Sequence, residues 1–184
     1  EVLLHGWEEW GEGVLERVRG MFAFAIWDGR KRALALARDP MGIKPLFLWW
    51  SGGGRLAFAS ELKAFLGLAG FSPRPDLVAL RQFLEFSFVA DIESASLEGV
   101  RKLPPGHVLT VTVDDVAAGR RPRPRAYFAP PRVERSAEGD WSLDARADRL
   151  HATMSEVVRE HLVADVPVGL LLSGGLDSSV VAAL

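Results

Sequence analysis

Between Met21 and Ser60 this chain repeats one pattern four times: a short apolar run closed by turn-forming residues. Met21-Phe22-Ala23-Phe24-Ala25-Ile26-Trp27 ends at Asp28-Gly29, and Ala33-Leu34-Ala35-Leu36-Ala37 leads into Asp39-Pro40-Met41-Gly42. Leu46-Phe47-Leu48-Trp49-Trp50 follows Pro45 and stops at Ser51-Gly52-Gly53-Gly54, and Leu56-Ala57-Phe58-Ala59-Ser60 comes next. Runs this short, bounded by Gly, Pro and Asp, read as strands with tight turns. Four of them in succession predict an antiparallel meander, and runs that are apolar almost throughout predict a sheet covered on both faces. The expected class is an α+β layered sandwich.

The flanking segments supply the helices. Residues 1–19 place Val2, Leu3, Trp7, Trp10, Val14, Leu15 and Val18 near helical spacing, with Gly11 and Gly13 splitting the segment into two pieces. Glu61 to Leu66 and Asp76 to Phe86 read as helical, the second behind Pro75, while Val108 to Val113 alternates like a half-buried strand. From residue 119 Arg120, Arg121, Arg123 and Arg125 interleave with Pro122 and Pro124, and Pro130-Pro131 follows. Such a run reads as a solvated linker rather than a nucleic-acid patch. The expected organisation is a first domain over 1–125, a linker over 126–141 and a second domain beginning at 142. Ser142 is a plausible N-cap for an amphipathic helix to about Val163, with Leu143, Ala147, Leu150, Met154, Val157, Val158 and Leu162 on one face. His151 and His161 stand ten positions apart on it and read as surface histidines, not metal ligands.

The end of the chain carries the clearest chemistry. An apolar run, Val166-Pro167-Val168-Gly169-Leu170-Leu171-Leu172, reads as a buried strand feeding Ser173-Gly174-Gly175-Leu176-Asp177-Ser178-Ser179. A helix is expected behind it, at Val180 to Leu184. Main-chain N–H groups and a helix N-terminus suit a pyrophosphate, and glycine lets the backbone approach closely. A Walker A loop would place Lys before the Ser/Thr, but here Asp177 precedes Ser178. A carboxylate among phosphates is repelled unless a divalent cation lies between them, so Asp177 implies Mg²⁺. Ser173 and Ser178 can donate to phosphate oxygens, and Gly174 and Gly175 allow approach. A grip on the β and γ phosphates leaves the α-phosphorus open to attack, so adenylation with loss of pyrophosphate is expected. The competing reading is a Ser/Gly/Asp turn in which Asp177 or Ser178 merely caps the next helix.

Composition excludes several classes. A net charge of −2 gives no reason to expect a nucleic-acid or membrane partner, and no apolar run is long enough to span a bilayer. There is no cysteine, hence no disulfide framework, thiolate zinc site or cysteine nucleophile, which fits a cytoplasmic protein. Residue 1 is Glu, so the chain is expected to begin inside a longer reading frame.

SGGLDSS after an apolar run resembles the pyrophosphate loop of the ATP pyrophosphatase group. Upstream, Gly20 to Asp28, Ala37-Arg38-Asp39-Pro40-Met41-Gly42-Ile43-Lys44-Pro45-Leu46, Phe58 to Ala64 and Gly99-Val100-Arg101-Lys102-Leu103-Pro104-Pro105-Gly106-His107 resemble the class II glutamine amidotransferase domain. In this order the pieces look like the glutamine-hydrolysing asparagine synthetases. The resemblance implies an Ntn-hydrolase-like sandwich, truncated at its N-terminus, followed by the beginning of an α/β ATP pyrophosphatase domain. It also implies the reaction. Glutamine is hydrolysed in the first domain and ammonia passes through a tunnel. The second domain converts aspartate and ATP to β-aspartyl-AMP, which ammonia attacks.

By motif, Ser173, Gly174, Gly175, Asp177 and Ser178 would hold pyrophosphate and Mg²⁺, with Asp177 the metal ligand and Leu171 beside the adenosine. Arg38, Asp39, Gly42, Pro45, Ser60, Glu61 and Lys63 match family-typical positions and read as structural or tunnel-adjacent, Arg38-Asp39 as a buried ion pair or turn cap, with direct catalysis the rival reading. The family nucleophile is an N-terminal cysteine, which this chain lacks, and residues 88–98 depart from the proline-containing segment expected there. The chain is therefore expected to be an inactive central fragment of a glutamine-dependent asparagine synthetase whose full form is a homodimer. The rival readings are a related amide-forming synthetase, of the β-lactam synthetase or peptide cyclase kind, and a truncated non-catalytic module. Residues 140–184 are expected to pack poorly by themselves.

Overall fold

A computed structural model describes residues 1–132 and 142–184. The chain divides into two units, Glu1–Pro130 and Pro131–Leu184. Much of the expected linker, residues 133–141, lies outside the described residues.

The first unit opens with helix α1 (Val2–Trp10) and a 3₁₀ turn (Gly11–Glu16), the two pieces that the glycines foretold. Strands β1 (Ala23–Asp28), β2 (Ala33–Arg38), β3 (Phe47–Trp50) and β4 (Leu56–Ala59) follow. A 3₁₀ turn (Leu62–Phe65) and helix α2 (Leu77–Phe86) come next, and Asp76 caps α2 by accepting from the N–H groups of Val78 and Ala79. Strands β5 (Val100–Lys102) and β6 (His107–Thr112), helix α3 (Val113–Ala117) and strand β7 (Arg125–Ala126) complete it.

The four early strands do not form a meander. They make two antiparallel hairpins in different sheets, one ordered β1-β2-β6-β7 and the other β4-β3-β5. The connection after β2 crosses from one sheet to the other instead of folding back. Arg38 and Asp39, described below, hold it in that course.

Burial follows this layering. Leu36, Leu46, Leu48, Leu103, Leu109 and Val111 pack between the two sheets. On the outer face of the first sheet, Ala37 and Val108 meet Val14 and Leu15 of the 3₁₀ turn. On the outer face of the second, Phe65, Ala95 and Val100 form a third cluster with Phe47 and Trp49. The order helix, sheet, sheet, helical turn is the expected α+β layering, and β2 is covered on both faces. Burying one leucine such as Leu36 contributes about 1.5–3 kcal/mol before chain entropy is set against it.

The basic proline-rich run does not hang free where it is described. Arg120 Nε donates to Asp115 Oδ1 at 2.8 Å, the Arg121 guanidinium lies over Trp50, and Arg125 pairs with Glu12.

In the second unit α4 (Leu143–His161) begins where expected, with the Ser142 hydroxyl accepting from the Ala145 N–H. Val166–Leu172, expected as a buried strand, is not a strand: no strand lies beside it among the described residues, and its apolar side chains are exposed. The last helix, α5 (Leu176–Ala183), starts four residues earlier than the sequence suggested, with Gly175 as its N-cap. No residue of this unit is buried among those described, in keeping with the poor packing expected of it. Among the described residues, no helix is long and apolar enough to cross a membrane.

Candidate functional site

The Ser173–Ser178 segment gathers its polar groups at the start of α5. Gly174 has φ +78°, a left-handed conformation that glycine adopts without penalty, and it turns the chain towards the helix. Ser173 and Ser178 come together, their hydroxyl oxygens 3.0 Å apart. The Gly175 N–H points at Ser173 Oγ at 3.4 Å, and the Ser178 and Ser179 hydroxyls donate to the Gly175 carbonyl at 3.2 and 2.8 Å.

Asp177 and Ser178 therefore sit in the first turn of a helix rather than in the preceding loop, and Asp177 is its acidic first-turn residue. Neither caps it: the N-cap is Gly175, with no side-chain bond. A helix N-terminus, two hydroxyls and one carboxylate on a glycine turn are a donor set that fits a metal-bridged pyrophosphate. The hydroxyls satisfy each other as they stand and would rotate to donate to an anion. Leu171 is 94% exposed.

The first unit holds a second constellation, built around the crossing after β2. Arg38 and Asp39 are both buried. The Arg38 fork donates to three main-chain carbonyls: Nε to Lys44 at 2.8 Å, Nη1 to Leu103 at 2.7 Å and Nη2 to Gly42 at 2.6 Å. Asp39 accepts from the N–H groups of Met41 and Ile43 at 3.1 and 2.9 Å on one oxygen, and from Lys44 at 2.9 Å on the other. These bonds are those of a turn cap, the structural side of the sequence reading. Burial draws the Arg38 guanidinium below its ordinary pKa and the Asp39 charge opposes it, yet an arginine remains protonated throughout the physiological range. Gly42 has φ +66°, and a Cβ there would lie 2.7 Å from Pro105 Cγ.

One partner of this turn was not singled out in the sequence. Tyr127, the chain's single tyrosine, donates its hydroxyl to the Arg38 carbonyl at 2.6 Å. Burial, then the neighbouring Asp39 charge, pushes that hydroxyl up to about 12. Burial, then the Arg38 charge, pulls the Lys102 ammonium below its ordinary value, against the attraction of Asp91. The available signal for Tyr127 was an aromatic pair, Tyr127-Phe128, inside a polar, proline-rich run. By contrast Glu61 and Lys63 form an exposed ion pair at 2.5 Å, of the kind worth little in water.

Comparison with known proteins adds two matches in series. The family described as "Glutamine amidotransferase domain" matches residues 1–122, and that described as "Asparagine synthase" matches residues 149–184. Over 187 aligned residues the chain is 42% identical to a putative glutamine-hydrolysing asparagine synthetase of Mycobacterium tuberculosis, covering 100% of this chain and 28% of that protein. It is 34% identical to glutamine-hydrolysing asparagine synthetase 3 of Bacillus subtilis, with coverage of 100% and 28%. Against a Gibberella zeae protein named amidase chry2 it is 33% identical, with coverage of 100% and 26%. The chain thus spans only about a quarter of the length of these curated relatives.

Proposed function

Because this chain belongs to the glutamine amidotransferase domain family, we propose that the protein carrying it is a glutamine-dependent asparagine synthetase. The reaction assigned to the whole protein is ATP, L-aspartate, L-glutamine and water to L-asparagine, AMP, diphosphate and L-glutamate. One observation carries this reading: an amidotransferase segment and an asparagine synthase segment follow one another on a single chain. The layered sandwich of the first unit supports an Ntn-hydrolase-like amidotransferase.

In this reading the second unit begins the ATP site of a pyrophosphatase-type synthetase domain. Ser173 and Ser178 hydroxyls and the α5 N-terminus would hold the pyrophosphate, with Gly174 and Gly175 permitting its approach. Asp177 would hold Mg²⁺, and Leu171 would flank the adenosine. Bound there, Mg²⁺ would neutralise the departing diphosphate. This chain has no cysteine, so glutamine cleavage is assigned to the full-length protein and not to these residues alone. The same reading places that protein in the cytoplasm as a homodimer acting on small molecules, with neither nucleic acid nor membrane as a partner.

The test supplies the full-length protein with amide-¹⁵N-glutamine, aspartate and ATP-Mg²⁺. Labelled asparagine together with AMP and diphosphate is the expected result; glutamate release without asparagine would overturn it. The match to a protein named amidase favours one second reading, a related amide-forming synthetase acting on another acid. Diphosphate release with some other carboxylic acid, but not with aspartate, would select it.

A further inference from the structure

We propose that the exposed face of α2 is where a second copy of this chain docks, the two α2 helices lying antiparallel about a two-fold axis. This gives the homodimer of the reading above its surface, and it rests on that reading for the dimer, not for the reaction.

The helix is apolar on almost every side, yet its own unit covers little of it. Leu77, Val78, Leu80, Phe83, Leu84 and Phe86 are all exposed, from 39% at Leu80 to 76% at Leu84, and Ala79 alone of its described residues is buried. No described helix or strand packs extensively against α2. A surface helix ordinarily turns its apolar stripe to the core and its polar side to water, and α2 reverses the arrangement. Its inner side carries Ala79 and Gln82, whose Oε1 accepts the Asp91 N–H at 3.2 Å. Beyond the helix, Ser87 takes a left-handed φ of +63°, and Phe88 comes to rest with its ring centre 6.2 Å from that of Phe86. Phe88 is exposed as well and extends the patch. The area these side chains leave open approaches the ~800 Å² per partner that a stable interface takes, far beyond the scattered apolar residues of an ordinary monomer surface.

The charges beside the patch select the occupant. Arg81 and Glu85 are the charged residues of α2, both exposed, with Arg81 Nε donating to Glu85 Oε1 at 2.9 Å. With about 3.6 residues per turn, Leu77, Leu80 and Leu84 form one stripe, and both charges fall on the same flank of it. Within a helix an i, i+4 pair is better with the acid first; here the base comes first, so the order does not serve the helix itself. It does serve a two-fold neighbour. Antiparallel helices set matching flanks against each other, so Arg81 lies against Glu85 of the second copy and Glu85 against its Arg81. Leu80 and Leu84 pack in the same exchange against Leu84 and Leu80. Residue i meets j and j meets i, the self-complementarity of an isologous contact. A parallel pairing would instead set both charges against Phe83 on the opposite flank.

Sedimentation equilibrium of the full-length protein should show a dimer. Arg81→Glu sets two acids against each other at each contact and Glu85→Arg two bases, so either variant alone should dimerise at least about ten-fold more weakly. Mixed in equal amounts, the two variants should recover the wild-type affinity as a heterodimer, because each acidic face then meets a basic one. Mixing repairs nothing that is confined to one chain, so recovery separates the contact from any role the pair has within its own helix. Leu84→Asp should leave only monomer with its helicity intact, since an exposed position contributes little to the fold. A monomeric wild-type protein would overturn the proposal and assign the face to another part of the full-length chain or to a different protein. A dimer that these variants do not weaken would overturn it too, as would a weakened one that mixing does not restore. A dimer with these properties that makes no asparagine defeats the reaction assigned above and leaves the docking surface standing. A monomer that makes asparagine defeats the docking surface alone.

Discussion

The two units carry apolar runs of similar character and treat them in opposite ways. Ala33–Ala37 lies between two neighbouring strands, with Leu36 fully buried. Among the described residues Val166–Leu172 has no strand beside it, and Leu171 is almost wholly exposed. An apolar run states a demand for cover, and only a partner turns it into a strand. The candidate ATP loop illustrates the same point. Ser173 and Ser178 meet and α5 forms, because both are local, while the apolar floor that should support them stays open.

The largest expected effect that probes this contrast is truncation. Leu36→Ala should cost about 2–5 kcal/mol in denaturant unfolding, the range for a core leucine. Leu171→Ala should shift stability by less than about 0.5 kcal/mol, the usual range for an exposed position. Equal losses would erase the distinction between the units. Next comes the backbone. Gly42→Ala meets both a left-handed φ and the Pro105 ring, and should cost about 1–3 kcal/mol. Gly174→Ala meets only the φ requirement, since nothing lies within reach of its Cβ, and should cost about 1 kcal/mol.

Helix caps are smaller tests. Asp76→Ala removes two accepted N–H bonds and should lower global stability by about 1 kcal/mol. Ser142→Ala should instead reduce helicity locally in α4, read by circular dichroism, while leaving the unfolding midpoint in place. The smallest effect is one of pH. The Thr112 hydroxyl, then the Thr112 N–H and then Arg120 hold the Asp115 carboxyl down to about 2, from an ordinary 3.8. A depressed carboxylate stabilises the fold above its unfolded value and loses that contribution as pH falls through the folded one. The N-terminal amides of α3 should therefore lose protection between pH 3.8 and about 2. In α5, where Gly175 supplies no side-chain cap, there is no such cap to titrate.

Much of the fold was legible because its signals are local. Periodicity with Gly11 and Gly13 marked α1 and the break after it, and Asp76 and Ser142 marked the starts of α2 and α4. What escaped depends on contacts distant in sequence. Strand β5 is three residues long and β7 two, too short for any pattern, and each exists by pairing with a neighbour. Residues Asp39–Gly42 announced a turn correctly but not its direction. The crossing between sheets is set by Arg38 reaching Leu103, 65 positions away. Val113 continued an alternating pattern yet opens α3, because the Thr112–Asp115 capping box ends the strand before it. Of the candidate site, the glycine turn was readable from order alone, whereas the meeting of the Ser173 and Ser178 hydroxyls was not, nor was Tyr127, whose partner carbonyl lies 89 residues upstream.

All three acceptors of the Arg38 fork are main-chain oxygens, and so is the acceptor of Tyr127. Any amino acid at position 44 or 103 presents the same carbonyl, so these sites can drift through evolution without loosening the lock. Co-varying pairs, the usual footprint of a spatial contact, should be missing between Arg38 and its partners even though they touch. Statistical contact maps for this family would then be least informative where its architecture is most tightly held.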